Sequence, residues 1–81
     1  MPKLRPLNDR FDLVVRDAER LHGYWEGCGD IVDRDAKRTV GRVYGHGRSG
    51  ASAEQEVVRE AERWLLRESR QRSRMGAMHS Q

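Results

Sequence analysis

The chain has 81 residues, 36% of them charged and 36% hydrophobic, with a formal net charge of +3. It is near the size at which folding buries only about 60% of the unfolded surface, so one thin core under a highly charged exterior is expected. A single cysteine, Cys28, excludes an internal disulfide and suits a reducing, cytoplasmic setting. No apolar run reaches the length of a membrane span, so no membrane contact is expected. The basic balance points to nucleic acid or an acidic protein surface as partner.

Residues 1–7 place Lys3 and Arg5 between two prolines and are expected to form an extended lead-in. A first helix is expected to follow. Asn8 or Asp9 would cap it, and Leu7, Phe11, Val14, Val15, Ala18 and Leu21 recur at helical spacing. Asp12 and Arg16 would form an i,i+4 pair on it, and Gly23 would end it. The alternative for this stretch is a strand beginning at Leu13-Val14-Val15.

From Tyr24 to Gly45 the composition turns towards strand. Tyr24-Trp25, Ile31-Val32, Thr39-Val40 and Val43-Tyr44 supply β-favouring side chains, and Asp33-Arg34-Asp35-Ala36 reads as a hairpin turn. Gly27-Cys28-Gly29 is expected to mark a bulge or a bend.

The stretch from Gly45 to Gln55 joins this β region to a long helix, expected from Ala53 to about Ser69. Ser52 is the expected N-cap, with Gln55 three residues on completing a capping box. Arg48 and Ser49 stand just ahead of the free amides of the first turn, where an anion such as phosphate is favoured. Val57, Val58, Ala61, Trp64 and Leu65 share one face of the helix. Arg59, Arg63, Arg67, Arg70 and Arg74 fall in a sector roughly 80° wide on the other side, at 100° per residue. Glu56 and Glu60 sit three residues before Arg59 and Arg63 and partly neutralise them, so free charge concentrates in the segment carrying Arg67, Arg70, Arg72 and Arg74. Residues 75–81 lack periodicity and are expected to be a disordered tail. Residues 8–74 then form the single domain, with no internal repeat.

The pattern Gly45-x-Gly47-x-Ser49-x-x-x-Ala53-Glu54-Gln55, with Val57-Val58 and Ala61 after it, resembles the final strand and last helix of a double-stranded RNA-binding domain. In that family a glycine-rich turn and a serine precede two lysines, then Ala-Glu-Gln and small apolar residues. The likeness covers residues 45–61, and the lysine pair that grips phosphate in the family is Gly50-Ala51 here. The resemblance implies an α+β fold and binding of structured RNA.

Other chemistry is weakly encoded. His22, Cys28 and His46 fit no compact zinc spacing, and Asp30, Asp33 and Asp35 lack the glycine and distal glutamate of a calcium loop. Nothing orients Cys28 as a nucleophile, so neither an enzyme nor a cofactor is expected. Tyr24, Trp25 and Tyr44 would either stack bases or fill the thin core.

Together these features predict an α+β fold in the order helix, β-hairpin, helix, with both helices on one face of a small antiparallel sheet. The function expected is a non-catalytic nucleic-acid-binding module, most plainly for structured RNA. Arg48, Ser49, Arg59, Arg63, Arg67, Arg70, Arg72 and Arg74 would hold the phosphate backbone. The rival is a small protein-interaction inhibitor, such as a phage-encoded anti-CRISPR-like protein acting on a protein or nucleoprotein complex.

Overall fold

The computed structural model describes residues 2–79, and the side chains of residues 2–70. Five strands and one helix follow in the order β1 (Lys3–Pro6), β2 (Phe11–Val15), β3 (Glu19–Leu21), β4 (Tyr24–Asp33), β5 (Arg38–Gly47) and α1 (Gly50–His79). The architecture is a strand-rich α+β fold: one antiparallel sheet with one helix across one face. This overturns the expected helix–hairpin–helix arrangement, because residues 8–23 hold two strands and their turns in place of a first helix.

The reason lies in side-chain alternation. Phe11, Leu13 and Val15 point to the helix side and are buried, while Asp12 and Val14 point to the other face. The same segment also satisfies helical spacing at Phe11, Val14, Val15 and Ala18, so its local pattern fits both periods. Pairing with β4 decides between them, Phe11 opposite Asp33 and Val15 opposite Gly29. Asn8 does cap something, but not a helix. Its Oδ1 accepts from the amides of Arg10 (2.8 Å) and Phe11 (2.7 Å) and closes the β1–β2 turn. Asp12 and Arg16 are accordingly not helical neighbours. Asp12 lies 3.7 Å from Arg34, and Arg16 reaches Asp30.

β4 is the centre of the sheet. β2 and β3 lie end to end along one of its edges, with β1 outside β2, and β5 runs the full length of the other. Between β2 and β3 the ladder is kept by the Arg16 amide, which donates to the Cys28 carbonyl at 2.9 Å. The β4–β5 turn forms at Arg34–Lys37, where Asp33 Oδ1 accepts from the amides of Asp35 and Ala36 and Lys37 takes a left-handed φ of 55°. Gly27-Cys28-Gly29 is regular strand; the register shift falls instead at Ile31/Val32, opposite the Thr39–Gly41 segment.

Helix α1 crosses the face formed by Leu13, Ile31 and Val43. It contributes only small side chains at closest contact, the buried Ala53, Val57 and Ala61. They fit because the strands opposite present glycine. A Cβ on Gly27 would come 2.9 Å from Val57 Cγ2, and one on Gly29 would come 2.7 Å from Val57 Cγ1. Leu7, Val40, Val58, Trp64 and Leu65 close the margins of the core. The helix starts three residues before the expected Ala53 and runs past Ser69 to His79, into the segment read as a tail. Among the described residues, no helix is long and apolar enough to cross a membrane.

Candidate nucleic-acid interface

The helix start is built by Ser49 rather than Ser52. The Ser49 hydroxyl accepts from the Ser52 amide at 3.1 Å, and the Ser52 hydroxyl accepts from the Ser49 amide at 3.0 Å. The first turn of backbone closes from the Ala53 amide to the Ser49 carbonyl at 3.0 Å. This is a capping box with serine in the place usually held by glutamate or glutamine, and it leaves Gln55 exposed. The expectation of Ser52 as N-cap fails because Gly50 and Ala51 continue the helix without strain. Ser49 is thereby committed to the helix, while Arg48 beside it is exposed and, among the described residues, makes no ion pair.

Along α1, Arg59, Arg63, Arg67 and Arg70 are all exposed on the side away from the sheet. Arg59 pairs with Glu56 at 3.1 Å and Arg63 with Glu60, both through i,i+3 spacing. Arg67 and Arg70 have no carboxylate partner among the described residues. From Arg59 to Arg70 the row spans about 17 Å, at 1.5 Å per residue. The side chains of Arg72 and Arg74 lie outside the described residues.

The face of the sheet away from the helix carries a set of groups that sequence reasoning missed. Asp30, only 7% exposed, accepts from Arg16 through Oδ2 (2.8 and 3.1 Å) and from Arg42 through Oδ1 (2.8 Å). Burial alone would push the Asp30 carboxyl up, but the hydrogen bonds from Arg42 and Arg16 prevail and hold it below its usual value. Asp33, opposite Phe11 and beside Trp64 at the helix side, is likewise held low, chiefly by the hydrogen bond from Arg10. No spacing rule joins residues 16, 30 and 42; the signal lies only in the register that sets Val14 and Arg42 on either side of Asp30.

Tyr24 and Tyr44, 42% and 51% exposed, are surface groups rather than core, and Trp25 is half-buried. The Tyr24 ring lies against His46, 5.5 Å between centroids, and His46 Nε2 reaches Glu26 at 3.0 Å. At the end of the sheet, where the β3–β4 turn meets the β5–α1 junction, Arg20, Gly23, Tyr24, Trp25 and Arg48 line a cavity of about 180 Å³. Arg48 is thus a sequence-assigned site residue that the fold brings into a concave setting, apart from the arginine row on the helix. Among the described residues, no three His, Cys, Asp or Glu side chains gather closely enough to hold a metal ion.

No family model, no curated protein and no solved structure matches this chain.

Proposed function

We propose that the protein is a non-catalytic nucleic-acid-binding module that grips the phosphate backbone of structured RNA through the outer face of α1. The observation that carries this reading is the state of the helix arginines. Arg59 and Arg63 are matched by Glu56 and Glu60, whereas Arg67 and Arg70 stand exposed and unmatched by any described carboxylate. Guanidinium groups spaced about one helical turn apart follow a phosphate backbone well, each presenting a planar fork of donors. Recognition of this kind reads charge and shape and is indifferent to base sequence. The likeness of residues 45–61 to the last strand and helix of a double-stranded RNA-binding domain supports the same ligand class.

The test is a salt titration with a duplex RNA of arbitrary sequence. Affinity should fall linearly with salt on a log–log plot, because each phosphate contacted releases condensed counterions. Absence of binding to duplex RNA and DNA at low salt would sink the reading.

A further inference from the structure

The cavity at the end of the sheet has a chemistry distinct from the arginine row. Two arginines line it, Arg20 from β3 and Arg48 from the β5–α1 junction. Neither has a carboxylate partner among the described residues. The backbone explains their meeting: Arg20 and Gly47 flank Trp25 on either side of β4, so Arg20 and the residue following Gly47 come to the same corner. Glu26, two residues along β4 from Tyr24, is taken by His46. Trp25 forms part of the wall and is itself fixed beside the helix start, where a Cβ on Gly50 would meet its ring at 3.5 Å. Tyr24 borders the cavity at the start of β4, its ring turned to the other face of the sheet against His46. Gly23 turns the chain with a φ of 77° and leaves one side of the cavity open, with nothing within 4 Å of where its Cβ would stand.

We propose that this cavity binds a terminal nucleotide phosphomonoester, with the phosphate between Arg20 and Arg48. The charge match selects the monoester. Near neutral pH it carries about −1.5 to −2, which two unmatched guanidiniums neutralise, whereas an internal diester carries a single charge. The same chemistry occurs at the 5′ end of a strand and in a free nucleoside monophosphate. The proposal rests on the nucleic-acid reading above, and refines it by adding a site for strand ends.

The experiment measures binding of a short single-stranded RNA bearing either a 5′-phosphate or a 5′-hydroxyl, with a nucleoside 5′-monophosphate as competitor. The phosphorylated strand should bind about tenfold more tightly or better, as expected for charge-assisted bidentate contacts. Both arginines are exposed and, among the described residues, free of internal bonds, so an R20Q/R48Q variant should keep its fold, checked by its melting curve, and lose that preference. Displacement by the monophosphate at comparable affinity assigns the cavity to free nucleotides, and failure to displace assigns it to strand ends. Equal affinity for the two strands, or a preference that survives in R20Q/R48Q, overturns the proposal. A blunt duplex with hydroxyl ends tests the helix face separately. Its failure to bind, beside an intact phosphate preference, would remove the broader reading and leave the cavity.

Discussion

Gly45 of β5 lies directly beneath Val57 of α1, so close that a Cβ on Gly45 would stand 2.5 Å from the Val57 amide nitrogen and 2.6 Å from the Ala53 carbonyl oxygen. The obstruction is helix backbone, which cannot rotate aside as a side chain can. Gly45→Ala should therefore displace the helix and cost roughly 2–3 kcal/mol, as overpacking of a well-filled core does. Gly50→Ala is the control. Its Cβ would make ordinary contact with the Trp25 ring at 3.5 Å, and alanine suits a helix better, so stability should hold or rise slightly. Chemical denaturation of the two variants checks the pair.

The helix cap yields a second comparison. Ser49→Ala removes the acceptor for the Ser52 amide and should destabilise the protein by about 1 kcal/mol. Ser52→Ala removes the acceptor for the Ser49 amide and a donor to the Ser49 carbonyl, but it leaves the Ser52 amide capped by the Ser49 hydroxyl and should cost less. Thermal melts that reverse this order would return the cap to Ser52.

Trp64 stands at the edge of the core. It meets Phe11 edge-on, with ring centroids 5.2 Å apart at 86°, and closes over Gly41. Because Trp64 is only partly buried, Trp64→Ala should cost about 2–3 kcal/mol, under the roughly 3–5 kcal/mol of a fully enclosed aromatic. Equilibrium unfolding measures the difference directly.

Acid should loosen the sheet in a defined window. Asp30 and Asp33 are both held below their ordinary value of 3.8 in the folded state. The unfolded chain therefore binds protons first as the pH falls. Stability from these carboxylates is complete above their unfolded pKa and is lost as the pH drops through their folded values. The melting temperature should stay level down to about pH 5 and decline below about pH 4. Asp30→Asn should lower stability at neutral pH and flatten the acid limb. A variant whose acid limb matches the wild type would show that Asp30 is not among the groups responsible.

On the helix, the four described arginines should not weigh equally. Arg67→Gln with Arg70→Gln should make the salt slope of duplex binding shallower by about 2, from roughly 0.9 per phosphate contact on a duplex. Arg59→Gln with Arg63→Gln should change it less, because Glu56 and Glu60 already offset those charges. Equal effects of the two double variants would mean that the intrahelical pairs open on binding.

By itself, the sequence determined the features that depend on neighbours in the chain. The Asp33–Ala36 turn follows from an aspartate that bonds its own downstream amides, and the α1 face from apolar residues recurring each turn, with Glu56 and Glu60 set to meet their arginines. The β-favouring pairs between Tyr24 and Tyr44 likewise marked the two long strands. Only the tertiary structure decided the rest. Residues 11–15 satisfy both helical and alternating periods, and Asn8 offers the same oxygen to a helix start or to a hairpin turn. Pairing with β4 broke that tie by burying Phe11, Leu13 and Val15 on one side. The Arg16–Asp30–Arg42 cluster and the cavity holding Arg20 and Arg48 exist through strand register alone, since residues distant in the chain become neighbours when β3 and β5 flank β4. Local chemistry fixes turns and helix faces, whereas sites made across strands depend on a register that no short stretch encodes.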